Sequence, residues 1–390
     1  LTKTVRADVA IVGAGIVGLS TAWRLQQAGK RVAVLERGII GAEASGRNGS
    51  GVRQQGRVLP EMPLARAAIR LWGGLDAELG RPTGYRRNGH LYVAETNAEM
   101  DRLVAMREAE LPTGLVTELI GPNRVKELAP GITDAIVGAK YCPEDGSADA
   151  STATTAIAAA AEEAGAQIFC HQPAVEMLVE QGRMVGVASK DIRIEAPIVL
   201  IAAGPWSPYV AQLADVYLPI YPSRAVLMRT EALPPVATPF VQTASMDMAV
   251  LQLADGTVRM GAAADAADYT RFTYDKSLAG PIEAQPRPAR AITVFPALAE
   301  ARLVGMWAGI RECTPDMMPI LGPVVGPEGL LVAAGFSGHG FALGPLAGRL
   351  MSDWIVKGDP GMDLSAFAYR RFLRREGPLS VVQLRVEQTG

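Results

Sequence analysis

The chain has 390 residues, 49% of them apolar, and its 38 basic and 40 acidic side chains leave a net charge of −2. That is enough apolar surface for more than one buried core. The balanced charge, with no basic block or stripe, argues against nucleic acid or an anionic membrane surface as ligand.

Lys3 and Arg6 precede an apolar run that imitates a targeting signal, but glycines break the run and a charged helix follows, so the segment reads as a strand. No apolar stretch reaches the ~20 residues of a membrane-spanning helix. Residues 7–12 form a β-branched run, residues 16–28 carry apolar side chains at helical spacing, and residues 31–35 are a second buried strand ending at Glu36. This strand, helix, strand unit forces a parallel pairing. Residues 38–56 are rich in Gly, Ser, Arg and Asn and read as a binding loop, before a helix over 63–79. Residues 83–94 and 249–262 alternate apolar and polar side chains, as strands of an antiparallel sheet with one open face do. Residues 148–165 are an alanine-rich helix. Residues 167–179, 184–187 and 198–203 are strand-like and return to the first sheet. Residues 271–291 read as an irregular crossing with a helix, residues 330–334 as a strand, and residues 344–356 as a helix fed by a glycine-rich turn.

Cys142, Cys170 and Cys313 are the only three cysteines. They have neither metal-ligand spacing nor the even count of a disulfide framework, and they read as inert thiols of a reducing compartment.

Gly13-Ala14-Gly15-Ile16-Val17-Gly18 follows a strand, opens a helix and is followed by Glu36 at the end of the next strand. The first glycine of this fingerprint makes a tight turn, the second lets backbone approach a pyrophosphate, and the third lets helix pack on strand. The helix N-terminus suits the pyrophosphate, and Glu36 suits ribose hydroxyls while opposing a 2′-phosphate. Taken alone, the fingerprint does not choose between FAD and NAD. Arg311 follows an apolar strand over 303–310 and offers a planar fork to a carboxylate, or alternatively pairs with Asp316 or Glu312 as a structural bridge. Met246, Met248, Met317 and Met318 are core filler or the lining of an adaptable pocket.

Further motifs are Gly46-Arg47-Asn48-Gly49-Ser50-Gly51-Val52-Arg53-Gln54-Gln55, Ala202-Ala203-Gly204-Pro205-Trp206, Gly309-Ile310-Arg311 with Thr314-Pro315-Asp316, and Gly335-Phe336-Ser337-Gly338-His339-Gly340-Phe341. Together with the fingerprint, these make the chain resemble the D-amino-acid oxidase superfamily of flavoproteins over nearly its whole length. The loop from Gly46 looks most like the catalytic subunits of heteromeric opine, D-hydroxyproline and proline dehydrogenases. The resemblance implies an α/β fold, with a Rossmann-like dinucleotide-binding FAD domain (1–82, 141–215 and 305–390) and an interleaved α+β substrate domain on an antiparallel sheet (83–140 and 216–304).

It implies non-covalent FAD held by Gly13, Gly15, Ile16, Val17, Gly18, Glu36, Arg37, Ser45, Arg47, Asn48, Gly49, Ser50 and Gly51. Val175, Ala203, Gly204, Trp206, Gly335, Ser337, Gly338, His339, Gly340 and Phe341 complete that set. Arg47 and Asn48 would lie along pyrophosphate and flavin, or form a solvated polar loop. The terminal glycine turn would aim donors at the N1 and O2 edge of the flavin, where His339 is a further donor or only shapes the turn. Arg311 would grip the substrate carboxylate. Arg259 falls where sarcosine oxidases carry an oxygen-activating lysine, or is a surface strand residue. Gly309 stands where monomeric sarcosine oxidase bonds FAD through cysteine, and the tyrosine that glycine oxidase places near Ala249 has no counterpart.

The implied activity is oxidation of the C–N bond of an amino or imino acid, by hydride transfer from the α-carbon to flavin N5. The heteromeric resemblance adds partner subunits, a flavin or iron–sulfur protein that removes electrons, and an FMN at a subunit boundary. A self-sufficient oxidase producing hydrogen peroxide and an electron-relay flavin subunit are the alternatives. The expected location is cytoplasmic, or peripheral to the inner membrane.

Overall fold

The computed structural model describes residues 2–263 and 286–373. Val9–Val12 lies inside a six-stranded sheet ordered Ile320–Pro323, Leu330–Ala334, Val199–Ile201, Val9–Val12, Val32–Leu35, Gln167–Phe169. Neighbours run parallel except for the edge pair Ile320–Pro323 and Leu330–Ala334. Both faces are covered, and alternate side chains therefore enter different cores. Val9, Ile11, Val32 and Val34 pack under the helices Ile16–Gln27, Met62–Leu79, Ala150–Glu163 and Gly340–Lys357. Ala10, Val12, Ala33 and Leu35 pack instead against Met177, Met184, Val187 and Ile194.

Those last residues belong to a separate four-stranded sheet ordered Lys3–Arg6, Ile192–Glu195, Arg183–Ala188, Glu176–Glu180. This corrects the expectation that residues 167–203 return wholly to the first sheet: only Gln167–Phe169 and Val199–Ile201 do. The sequence between them supplies three successive antiparallel strands, the first two joined by a turn at Gln181 (φ +50°) and Gly182 (φ +75°).

An eight-stranded sheet runs Leu303–Cys313, Tyr221–Ala232, Thr257–Ala263, Ala249–Gln252, Phe240–Thr243, His90–Ala94, Gly138–Cys142, Glu118–Ile120. It is not uniformly antiparallel, since Phe240–Thr243 pairs parallel with His90–Ala94. Two runs of strands remote in sequence meet there. Strand Leu303–Cys313 pairs along Tyr221–Ala232, so it lies with this sheet although the expected boundary before 305 put most of it with the other domain. The expected strand over 83–94 shortens to His90–Ala94, because Gly84 (φ +70°) and Gly89 (φ +80°) leave the extended region. The expected strand over 249–262 is a hairpin turned at Gly256 (φ +81°).

Val226, Met228, Val250, Val258 and Ala308 form a core on one face of this sheet with Ala291, Val294 and Phe295, the first two on helix Pro286–Val294. The rest of the expected crossing over 271–291 lies outside the described residues. The last helix begins at Gly340 rather than 344, and Pro345 sits inside it. Among the described residues no helix is long and apolar enough to cross a membrane.

Candidate active site

Four parallel strands end at one place: Val12 leads to Gly13, Leu35 to Glu36, Ile201 to Ala202, and Ala334 to Gly335. The carboxyl ends of parallel strands are where ligands of such sheets bind. A cavity of about 730 Å³ lies there, walled on its far side by the eight-stranded sheet.

Two glycines of the first turn are required by backbone contact, whereas a Cβ on Gly15 would meet only Ser45 Oγ, at 3.0 Å. Gly13 has φ +111°, and a Cβ on it would sit 2.3 Å from the Ala202 carbonyl oxygen; a Cβ on Gly18 would sit 2.1 Å from the Gly13 oxygen. Ile16 N–H donates to Ser45 Oγ at 2.9 Å, which fixes the polar loop against the helix N-terminus. The Glu36 carboxylate accepts from Ala14 N–H at 2.8 Å and Gly38 N–H at 2.6 Å. Arg37 stacks 4.0 Å over the Trp206 ring and pairs with Glu43. In the loop, Asn48 Nδ2 donates to the Ala44 and Ser45 carbonyls, each at 3.0 Å, while its Oδ1 accepts from Ser50 N–H at 2.8 Å. Asn48 is thus a staple that shapes the loop.

The second turn closes the cavity. Gly335 (φ +79°), Ser337 (φ +53°) and Gly338 (φ +90°) bend the chain into helix Gly340–Lys357. Ser337 N–H donates to the Glu312 carbonyl at 2.7 Å, and Ser337 Oγ accepts from Thr314 N–H at 3.2 Å. Ser50, Met246, Met317 and Ser337, all non-glycine residues with positive φ, line the cavity. Backbone strain of that kind concentrates at functional sites.

Arg311 reaches along the second turn, its Cδ 3.3 Å from where a Gly338 Cβ would be, and donates from Nη2 to Ser223 Oγ at 2.7 Å. The alternative structural bridge is not formed. Asp316 pairs with Arg371 at 2.7 Å, and among the described residues Arg311 is in no ion pair. Arg259 is buried rather than a surface residue; it donates to the Asn48 carbonyl at 3.3 Å and to Ser50 Oγ, with Trp307 beside it. It braces the loop from within the cavity wall.

His339 Nδ1 meets Glu61 Oε2 at 2.6 Å. Burial, with Arg57 and Arg53 near, pushes the imidazole down to about 4. Burial alone would raise the Glu61 carboxyl, but His339 and the two arginines hold it below the ordinary value. The contact occupies His339 Nδ1 and ties the imidazole to the start of helix Met62–Leu79. Burial raises the neighbouring Glu312 carboxyl to about 7 and lowers Arg57 to about 10.

The cavity brings together most of the residues singled out in the sequence: Gly13, Gly15, Ile16, Val17, Glu36, Arg37, Ser45, Arg47, Asn48, Gly49, Ser50, Gly51, Ala203, Gly204, Trp206, Arg259, Arg311, Ser337, Gly338, His339, Gly340 and Phe341. Gly18 and Gly335 lie behind the lining and shape the two turns. Val175 is exposed, its N–H donates to the Ala188 carbonyl at 2.8 Å, and Pro173 and Ala174 line the cavity in its place. Met246 and Met317 face the cavity, whereas Met248 is in the core of the eight-stranded sheet. Sequence reasoning quoted Arg53 in the loop motif without giving it a role, and missed Arg57, Glu61, Ser223 and Gln242. Arg53 and Arg57 were legible as a pair spaced four apart in a polar loop; Glu61 carries no local signal, because its partner lies 278 residues away.

Residues 8–354 match the family described as "DAO: FAD dependent oxidoreductase". The chain belongs to that family. Glycine oxidase of Geobacillus kaustophilus is 29% identical over 388 residues, covering 96% of this chain and 99% of the relative. Its crystal structure superposes with a TM-score of 0.87 at 26% identity, over 95% of this chain and 100% of that one. Sarcosine oxidase subunit beta of Arthrobacter sp is 28% identical over 375 residues, 94% of this chain and 91% of the relative. 4-Methylaminobutanoate oxidase (formaldehyde-forming) of Paenarthrobacter nicotinovorans is 27% identical over 406 residues; the match covers 97% of this chain but 47%, about half, of that relative's length.

The family's enzymes depend on FAD, and the site here fits FAD held non-covalently. The cradle at Gly13 has no room for a Cβ, the helix behind it offers a positive end, a carboxylate closes the next strand, and the cavity runs from there to Arg311.

Proposed function

We propose that this chain oxidises the C–N bond of an amino acid or secondary amine, with Arg311 holding the substrate carboxylate. The observation that carries this reading is a guanidinium with no ion-pair partner among the described residues, in the same cavity as both glycine turns. Its planar fork matches a carboxylate, and Ser223 holds one of its nitrogens in place. When bound, FAD supplies the two-electron acceptor for a hydride from the substrate α-carbon. Arg311 contributes orientation. The substrate amine must shed its proton before its lone pair can form the C=N bond, so the rate rises with pH through the pKa of the bound amine. The imine product then hydrolyses, or persists if the substrate is cyclic.

In the same reading, the residues along the cavity divide the cofactor among them. Gly13, Gly15 and the helix N-terminus take the pyrophosphate, Glu36 the ribose hydroxyls, and the turn from Ser337 to Phe341 the flavin. Opines, D-hydroxyproline and proline are the leading substrates. The likeness to a sarcosine oxidase subunit supports a chain that works within a larger assembly; an electron-accepting partner and an FMN at a subunit boundary complete this proposal.

Anaerobic bleaching of the flavin by a panel of opines, D-amino acids, sarcosine and prolines tests the reading. Arg311→Ala should raise KM for carboxylate substrates by roughly 10- to 150-fold, the worth of a hydrogen bond to a charged group, with FAD content unchanged. An Arg311→Ala enzyme with unaltered KM and kcat for every substrate would sink it. Stoichiometric peroxide from the isolated chain would replace the partnered dehydrogenase with a self-sufficient oxidase, the reading that the full-length match to glycine oxidase favours.

A further inference from the structure

We propose that Arg53 binds a second carboxylate of the substrate, so that the preferred amine carries an acid on each side of its nitrogen. This rests on the reading in which Arg311 takes the first carboxylate and an amine is oxidised beside it.

Arg53 follows the short strand Gly51–Val52 and lines the same cavity as Arg311. Its guanidinium sits over the Tyr92 ring, 5.9 Å from the centroid. Two anchors hold the residue: Nη1 donates to the Gln55 carbonyl at 2.6 Å, and the Arg53 carbonyl accepts from Arg57 Nη2 at 2.9 Å. Nε and Nη2 make no hydrogen bond among the described residues and are not enclosed by protein, so that edge of the fork is open. The acids around it are committed elsewhere. Glu61 pairs with Arg57 and His339, Glu110 pairs with Lys140, and Asp145 accepts from the N–H groups of Gln54 and Gln55. Among the described residues Arg53 is in no ion pair, which leaves its charge for a ligand.

Arg53 and Arg311 stand at different ends of one surface. Arg311 is on Leu303–Cys313, the edge strand of the eight-stranded sheet, whereas Tyr92 is on His90–Ala94, the sixth strand in order. Neighbouring strands are about 4.8 Å apart, so the two forks serve separate groups. Between them a row of paired residues, Leu227, Gly261, Ala249 and Gln242, runs across the sheet to Tyr92. These four line the cavity, and none is charged. The second glycine turn adjoins both ends. A Cβ on Gly338 would lie 3.3 Å from Arg311 Cδ, and His339, the next residue, is close enough to Arg53 and Arg57 for both to depress its pKa. An amine at this turn with one acid on Arg311 therefore extends its other substituent over an uncharged floor toward Arg53. Of the substrates named above, this selects the opines, whose nitrogen joins two carboxylate-bearing arms, over proline and D-hydroxyproline, which have one acid each.

The test compares N-carboxyalkyl amino acids, with the second acid one, two or three carbons from nitrogen, each against its own terminal amide. Acid and amide have nearly the same shape and differ in charge. In anaerobic flavin bleaching the wild type should favour the best acid over its amide by roughly 10- to 150-fold in rate over Kd, the worth of a hydrogen bond to a charged group. In Arg53→Gln that ratio should fall to about threefold or less. Because both compounds meet the same protein, a general disturbance of the loop cancels from the ratio. A wild-type ratio below about tenfold, or a larger one that persists in Arg53→Gln, overturns the proposal. Should Arg53→Gln not retain FAD, binding without turnover decides. Diglycolate, an ether with two acids, should perturb the wild-type flavin absorbance with a Kd at least about tenfold below that of methoxyacetate, which has one; a smaller difference counts against the assignment. If no amine bleaches the flavin, the amine-oxidation reading itself has failed; if amines with one carboxylate bleach it as well as those with two, only the role of Arg53 has.

Discussion

Glu61 shows how one side chain can serve two remote parts of a chain. It sits at the N-terminus of helix Met62–Leu79, fully buried, with Oε2 bonded to His339 and Oε1 without a partner. Arg57 Nε lies 4.0 Å from it and forms an ion pair with it. The carboxylate thus fixes the imidazole tautomer at the entrance to the last helix, much as a buried acid orients a catalytic histidine elsewhere. Glu61→Ala should strand the Nδ1–H donor and the Arg57 charge together. The expected loss is roughly 3–5 kcal/mol, the range for breaking a buried pair, read from the denaturant midpoint at pH 7. A loss under about 1 kcal/mol would mean that the bond is not formed.

At the level of elements, the site depends on two helices that approach closely because one of them presents glycines to the other. Gly344 and Gly348, one turn apart on helix Gly340–Lys357, lie against Ile16 and Ser20 of helix Ile16–Gln27. A Cβ on Gly348 would come 2.4 Å from Ser20 Cβ and 2.7 Å from Thr21 N. Backbone offers no flexible atom to move aside, so Gly348→Ala must push the helices apart. The expected cost is roughly 1–3 kcal/mol, together with weaker FAD binding, because both helices begin at the cavity. Unchanged stability by thermal unfolding would show that the crossing has slack.

Over the whole molecule, the cavity is bounded by strands and loops drawn from the first 60 residues, the middle of the chain and residues 303–341. A cofactor lodged there bridges the parallel sheet and the eight-stranded sheet and should act as a staple for both. Gly309, at the position where a covalent link would form, has no side chain to make one, so denaturation should release all of the flavin. The deflavinated chain should unfold at lower temperature, and FAD restored at a hundred times its Kd should return about 2.7 kcal/mol. Flavin that stays with the precipitated protein, or a midpoint indifferent to FAD, would contradict this.

Much of this organisation was legible in the residues themselves. Val9–Val12, Gly13, Gly18 and Glu36 announce a dinucleotide turn, since strand, glycine and helix signals there are local and agree with one another. The motif around Arg311 and the turn from Gly335 were likewise visible. Helix Asn97–Glu110 was not: Leu103 is its only buried apolar residue, so it carries no 3.6-residue stripe. The hairpin in residues 176–188 could not be told from a return to the parallel sheet, because a short apolar run reads alike in either. The Glu61–His339 bond, the freedom of Arg311 from Asp316 and the position of Arg53 over Tyr92 depend on contacts between segments tens to hundreds of residues apart. Local composition determines which turns and strands can form; only the folded chain decides which charges meet, because burial and distance set their energies and neither is a property of neighbouring residues.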